Sequence, residues 1–296
     1  MIWPPSNRNP ETTGPWLLRN TPYSELEFGA LAPNAYQRAV ISLTRRLPEN
    51  WLGRRLAILL RKLVLWFLRR PLDMDVFGRN MRLFPFNNVC ERRVLFTPQF
   101  FDRRERDLLA SRLKPGFVFI DVGANVGAYS LFVSGVLDGK ARIVAVEPQP
   151  RVFDRLTANI RFNPGCSIKA IDCAVADQDG KVSLFLDADN QGEASVKYMN
   201  WSGGEGASVS VKAKTLLGIA KDEKLERIDA IKLDVEGAED LILVAFLRDA
   251  PEKLWPSLIV LENAPDHWQT DCVALLESKG YKLLARTRMN LVFERG

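Results

Sequence analysis

The stretch Phe117-Val-Phe-Ile-Asp-Val-Gly-Ala-Asn-Val-Gly127 decides the fold. An apolar run leads straight into Asp121. Gly123 and Gly127 then precede a second apolar run, Ala128-Tyr-Ser-Leu-Phe-Val-Ser134. An unbroken apolar segment of this kind suits a strand covered on both faces. The glycines allow a sharp turn and the close approach of a ligand. A second apolar strand, Ile143-Val-Ala-Val146, ends in Glu147. Strand, glycine turn, helix, strand and acid is the order of a nucleotide-binding half of a doubly wound sheet.

The spacing of the turn separates cofactors. A dinucleotide turn uses G-x-G-x-x-G, where the second glycine clears space for pyrophosphate. Here Asn125 holds that second position and the next glycine is Gly127. Asp121 is a poor neighbour for pyrophosphate, but a good one for a ligand with an amino group and a sulfonium. The acid-x-Gly-x-x-x-Gly pattern therefore points to S-adenosylmethionine. Glu147 suits the ribose diol, because a carboxylate accepts two hydroxyl hydrogen bonds. A turn that only packs a helix on a sheet is the plainer reading. The joint occurrence of turn and acid weighs against it.

A second segment, Ile228-Asp-Ala-Ile-Lys-Leu-Asp-Val-Glu-Gly-Ala-Glu-Asp240, reads as another strand ending in an acid cluster. Asp234 falls at the carboxyl end of the strand, where ligands bind in open α/β sheets. Glu236, Glu239 and Asp240 suit a first helical turn through the helix dipole. That does not account for Lys232, a cation inside an apolar strand, which needs a partner such as Asp234 or Glu236.

Together, Asp121-Val-Gly-Ala-Asn-Val-Gly-Ala-Tyr-Ser130 and Ile231-Lys-Leu-Asp-Val-Glu-Gly-Ala-Glu239 resemble the FkbM family of class I S-adenosylmethionine-dependent methyltransferases, over residues 74–294. The first motif marks the wider class. The second, Lys-x-Asp-x-Glu-Gly-x-Glu, is the more specific. The resemblance implies O-methylation of sugar or natural-product hydroxyls. It implies a cofactor site at Asp121, Gly123, Ala124, Asn125, Gly127 and Glu147, with Asp172 and Ala174 near the adenine. Its second motif corresponds to Lys232, Asp234, Glu236, Gly237 and Glu239. The chain departs from the family pattern where Thr215-Leu216 is followed by Leu217 rather than an aspartate.

The expected chemistry is methyl transfer with the acceptor proton taken by a positioned base. Asp234 is the first candidate, then Glu236, then His267, the only histidine, with Lys232 fixing the carboxylates. Glu262, at the end of the strand Ile259-Val-Leu-Glu262, would orient the substrate or support Lys232. No residue is assigned to a metal. Magnesium held by the acids is the lesser alternative.

Outside these motifs, the expected architecture is α/β: a doubly wound, mostly parallel seven-stranded sheet with a C-terminal antiparallel hairpin, plus an N-terminal extension. Later strands are expected at 167–171, 257–261, 281–284 and 290–293. Residues 1–35 read as poorly ordered, 36–73 as an amphipathic helical extension, 74–100 as a small β cover and 101–296 as the methyltransferase domain. The alternating segment 74–96, with turn signals at 77–80 and 85–88, reads as a hairpin or three-stranded piece. Asp102 reads as the N-cap of a helix over 101–112, with Glu105 completing a capping box. The hairpin and the insertion 187–206, with its polar residues and Tyr198 and Trp201, are the expected substrate-facing segments.

Composition sets the remaining bounds. The chain has 296 residues, enough for a full core, and a net charge of +5, which does not argue for nucleic acid. Cys90, Cys166, Cys173 and Cys272 form no C-x-x-C pair, which fits a reducing cytoplasm. No charged start leads into an apolar run, so no signal peptide is expected. Residues 51–70 form a basic amphipathic stretch. Its reading is a helix packed on the catalytic domain through Leu56, Leu60, Leu63 and Phe67, with a solvated basic face. The alternative is contact with an anionic membrane surface at the inner face. The corresponding second function is a membrane-associated binding module that keeps the nucleotide fold without turnover.

Overall fold

The computed structural model describes residues 23–186, 194–196 and 208–296. Helices α1 (Ala35–Arg45) and α2 (Trp51–Leu65) lead into a hairpin of β1 (Leu72–Val76) and β2 (Arg79–Leu83). Helices α3 (Val89–Phe96) and α4 (Arg103–Ala110) follow. Strand and helix then alternate through β3 (Phe117–Val122), α5 (Ala128–Val136), β4 (Ala141–Val146), α6 (Pro150–Arg161) and β5 (Ile168–Ile171). Next come β6 (Ala174–Ala176), β7 (Gly180–Leu186), β8 (Ala194–Val196) and β9 (Ser208–Thr215). The chain closes with α7 (Leu216–Asp222), β10 (Ala230–Leu233), α8 (Glu239–Asp249), β11 (Leu258–Glu262), α9 (Cys272–Ser278), β12 (Tyr281–Arg286) and β13 (Asn290–Arg295).

The main sheet has seven strands in the order β12-β13-β11-β10-β3-β4-β5. β11, β10, β3, β4 and β5 run parallel, and β12 and β13 form the expected antiparallel hairpin at one edge. All six residues of β3 are buried. Phe117 and Phe119 pack with α5 and the N-terminal elements on one face, while Val118, Ile120 and Val122 pack with α7, α8 and α9 on the other. Burial on both faces accounts for the continuous apolar run in the sequence. Ile41, Val64, Leu72 and Phe96 share a single core cluster with Phe119, so the N-terminal elements help cover the sheet.

Four local expectations change. The hairpin β1–β2 forms, but the third piece of the expected β cover is the helix α3. The Asn88 side chain caps it by accepting the Glu91 N–H at 3.1 Å, and fully buried Glu91 pairs with Arg155 at 2.5 Å. That long-range pair outweighs the alternating pattern. Asp102 precedes α4 with φ 41° and makes no side-chain cap. Its carboxylate instead accepts from Arg93 at 2.8 Å, and Glu105 turns inward to accept from Thr287 and Asn290. A small sheet, β6-β9-β7-β8, stands where no sheet was expected. Of the insertion 187–206, only 194–196 lies within the described residues, as the strand β8 paired to β7. Lastly, α2 packs through Gly53, Ala57 and Val64, followed by Leu68, with Leu60 and Leu65 partly buried against the same core, while the expected Leu56, Leu63 and Phe67 stay exposed. The small Gly53 and Ala57 let the helix approach closely.

Candidate active site

Strand pairing brings the two motifs together. β3 and β10 are adjacent and parallel, with Asp121 in register with Lys232, and the Asp234 N–H donates to the Val122 carbonyl at 3.2 Å. Both motif turns therefore leave the sheet side by side at its carboxyl edge. Gly123 sits at their closest approach. Its φ is +71°, and a Cβ there would lie 1.8 Å from the Asp234 carbonyl oxygen. The sequence reading reserved that space for the cofactor, whereas the structure gives it to the neighbouring turn.

The first turn is held from three sides: the Asn88 and Asn159 side-chain amides donate to Asn125 Oδ1 and the Val126 carbonyl, both at 3.0 Å, and Glu147 takes backbone N–H groups. Asn125, at φ 50°, donates its N–H to Glu147 at 2.9 Å. Glu147 also accepts the Gln149 N–H at 2.9 Å. Burial drives the Glu147 carboxyl up from 4.5 to about 7 against these bonds, aided by Asp121 and Asp234. Asp121 is buried and accepts both the N–H and hydroxyl of Ser130 through Oδ2. Its Oδ1 has no hydrogen-bond partner among the described residues. Burial raises this carboxyl as well, with Lys232 opposing.

The second turn is held by carboxylates. Lys232 Nζ donates to Asp234 Oδ2 at 2.5 Å and lies 5.2 Å from the centre of the Tyr129 ring. Burial lowers the Lys232 ammonium, but Asp234 and then Asp121 outweigh it, so the net shift is upward and the side chain stays charged. Glu239 is fully buried and accepts from Val235 and Gly237 N–H groups, and its second oxygen accepts from the Trp268 indole at 3.0 Å. It shapes the turn and does not line the pocket. Glu262, at the end of β11, accepts the Glu236 N–H at 3.1 Å. Burial, then Asp234, Glu236 and Glu239, push its carboxyl to about 9.

Both turns open on one cavity of about 310 Å³, a size suited to a small ligand. Asp121, Gly123, Ala124, Asn125, Glu147, Ala174, Lys232, Asp234 and Glu236 all line it. Gly127 lies behind it as the N-cap of α5, and Asp172 is replaced on the wall by Cys173 and Val175. His267 is exposed, packs over Gly237 and does not reach the wall. Sequence reasoning missed Cys90, Arg93, Phe101, Asp102, Tyr129 and Met289, which close the cavity from α3, α5 and the loops before α4 and β13. Tyr129 was the legible one, a phenol at the start of an otherwise apolar helix.

The residues fit S-adenosylmethionine. Asp121 supplies an unsatisfied buried acceptor for a cationic or amino donor, and Glu147 supplies a carboxylate for a diol. Asp234, Glu236 and Glu262 bring one carboxylate oxygen each within 4.8 Å of one another, a spacing a cation can use. Their charge is already met in part by the Lys232 ammonium and by the proton that a carboxyl at about 9 retains at neutrality.

Known proteins point the same way. The Methyltransferase FkbM domain matches residues 121–283, just over half of the chain. Methyltransferase sdnD of Sordaria araneosa is 29% identical over 55% of this chain and 73% of its own. The 31-O-demethyl-FK506 methyltransferase FkbM of Streptomyces tacrolimicus is 27% identical over 67% of this chain and 85% of its own. The hexuronic acid methyltransferase AglP of Haloferax volcanii is 30% identical over 46% of this chain, which spans about half (54%) of AglP. The chain belongs to the FkbM family of S-adenosylmethionine-dependent methyltransferases.

Proposed function

We propose that this methyltransferase acts on a hydroxyl of a glycan, sugar or small natural product, with Asp234 as the base. One observation carries the reading. The β3–β10 register sets the Lys232–Asp234 pair beside the cofactor turn, within one cavity. S-adenosylmethionine, when bound, supplies a methyl group on a good leaving group. The chain's own part is to align the hydroxyl, exclude water and take its proton. Lys232 engages Asp234 Oδ2 and leaves the other oxygen for the acceptor. Tyr129, Phe101 and Met289 supply dry wall around it. Glu236 is the second candidate base, and Glu239 positions the turn that carries both. The relatives' named substrates, a hexuronic acid and 31-O-demethyl-FK506, support a hydroxylated acceptor.

The test is transfer of labelled methyl from S-adenosylmethionine to uronic-acid glycans, neutral sugars and hydroxylated polyketides. The expected product is an ether, so its label survives mild alkali. Label released as methanol would mean carboxyl esterification and would overturn O-methylation of a hydroxyl. Chelation with EDTA is expected to leave the rate unchanged. Loss restored by magnesium would replace Lys232 with a metal as the partner of the acids.

A further inference from the structure

Burial separates the two roles open to the basic helix. Only Gly53, Ala57 and Val64 of α2 are buried. Leu52, Leu59 and Leu63 are 65, 60 and 50% exposed, and Trp66 and Phe67, just past the helix, are 75 and 80% exposed. At about 100° per residue Leu52, Leu56, Leu59 and Leu63 share an arc of about 60° bordered on one side by Arg55 and Lys62. Folding therefore turns Gly53, Ala57 and Val64 inward, packs Leu60 and Leu65 against the core, and leaves Leu52, Leu56, Leu59 and Leu63 in a single exposed stripe, with exposed Ile58 on the basic side. Scattered exposed apolar residues are ordinary, but a contiguous stripe marks a contact surface.

We propose that this stripe docks on an anionic lipid surface, with α2 lying in the interfacial plane. Charge chooses the occupant. Residues 51–70 contain six basic side chains and no acidic one. A second copy packed antiparallel against this face would bring both basic borders together without a counter-acid. Anionic headgroups supply the missing charge, while the leucines and Phe67 enter the acyl boundary. Trp51 and Trp66 suit the interface, where an indole is half apolar and half polar. Arg55 already stacks on Trp51 at 4.6 Å. Among the described residues no helix is long and apolar enough to cross a membrane, so the contact is a surface one. The inference stands apart from the identity of the methyl acceptor.

The test is cosedimentation of the full chain with phosphatidylcholine vesicles, with and without phosphatidylglycerol. Binding to the anionic vesicles, release at high salt and weak binding to neutral ones are expected. The exposed-site double variant Trp66→Ser/Phe67→Ser should lower the partition coefficient by about tenfold or more. Its thermal midpoint should match the parent, because neither side chain is buried. Arg55→Glu/Lys62→Glu should abolish the preference for anionic lipid. Three results would overturn the proposal: a parent that ignores anionic vesicles at low salt, a double variant that binds as tightly, or a lipid-indifferent parent dimer that the double variant dissociates. The last would give the surface to a second copy.

Discussion

The turns after β3 and β10 leave the same sheet edge side by side, yet they are held by different means. The first, 121–127, takes its shape from left-handed residues, Gly123, Asn125 and Gly127, and is braced by the side-chain amides of Asn88 and Asn159 as well as by Ser130 and Glu147. The second, 234–239, also has left-handed residues, Glu236 and Gly237. Its bonds come from Glu239, from Glu262 on the next strand and from Trp268 beyond it. A turn of left-handed residues pinned largely by amide groups makes a fixed receptacle for an invariant ligand. A turn braced by carboxylates from several elements makes a charged platform. That contrast fits a cofactor on one side and an acceptor on the other.

The sharpest way to break the contrast is at the contact between the turns. Gly123→Val places a β-branched side chain at φ +71° and into the Asp234 carbonyl. Both turns must then shift, and S-adenosylhomocysteine binding by calorimetry is expected to vanish together with methyl transfer. Gly127→Ala presses on the flexible end of Leu156, at 2.8 Å, and touches Leu131 at ordinary contact distance, so its effect through contact is smaller, although its φ of +87° adds strain. If Gly123→Val still bound the ligand, the two turns would not depend on each other.

Asp234→Asn comes next. It keeps the shape but removes the charge and the proposed base, and methyl transfer is expected to fall by about 10²–10⁴. S-adenosylhomocysteine affinity should change far less, because this residue belongs to the platform. Equal losses in binding and rate would merge the two turns into one cofactor site. On the receptacle side, Glu147→Ala should weaken cofactor binding by about 1–3 kcal/mol through lost charged hydrogen bonds. An unchanged affinity would show that Glu147 serves only the Asn125 and Gln149 N–H groups.

The same difference explains what the sequence could show. The receptacle is legible because apolar run, acid and glycines lie within one stretch, from Phe117 to Glu147, and because periodicity identifies strands buried on both faces. The platform is half legible. Lys232 and Asp234 stand out as polar residues in an apolar strand. That Glu239 turns back on its own loop, and that His267 packs over Gly237 outside the cavity, depend on tertiary packing. The cavity wall from Cys90 and Arg93 had no local signature, since α3 overrides an alternating pattern through the buried Glu91–Arg155 pair. In α2 the amphipathic reading holds and Leu60 does face the core, but Leu56, Leu63 and Phe67 do not. Leucine content weighed more in that reading than the close packing that Gly53 and Ala57 permit.

The smallest expected effect is in the pH dependence of stability, and it tests whether the platform is charge-strained. Glu262 has its carboxyl raised from 4.5 to about 9, first by burial and then by Asp234, Glu236 and Glu239. The folded chain therefore holds a proton that the unfolded chain releases above pH 4.5. The group's contribution is fully present below that value and is lost as pH rises through about 9. Glu262→Gln keeps an oxygen for the Glu236 N–H and cannot ionise. The variant and parent should melt together near pH 5. The variant should then gain on the parent as pH rises, by on the order of a few degrees at pH 9. The receptacle offers the internal control, because Glu147 titrates near 7 and its contribution is lost earlier in the same scan. A parent whose melting midpoint does not fall relative to Glu262→Gln between pH 5 and 9 would mean that the acids at the end of β10 and β11 share their charge with Lys232 without strain. The platform would then be as settled as the turn beside it.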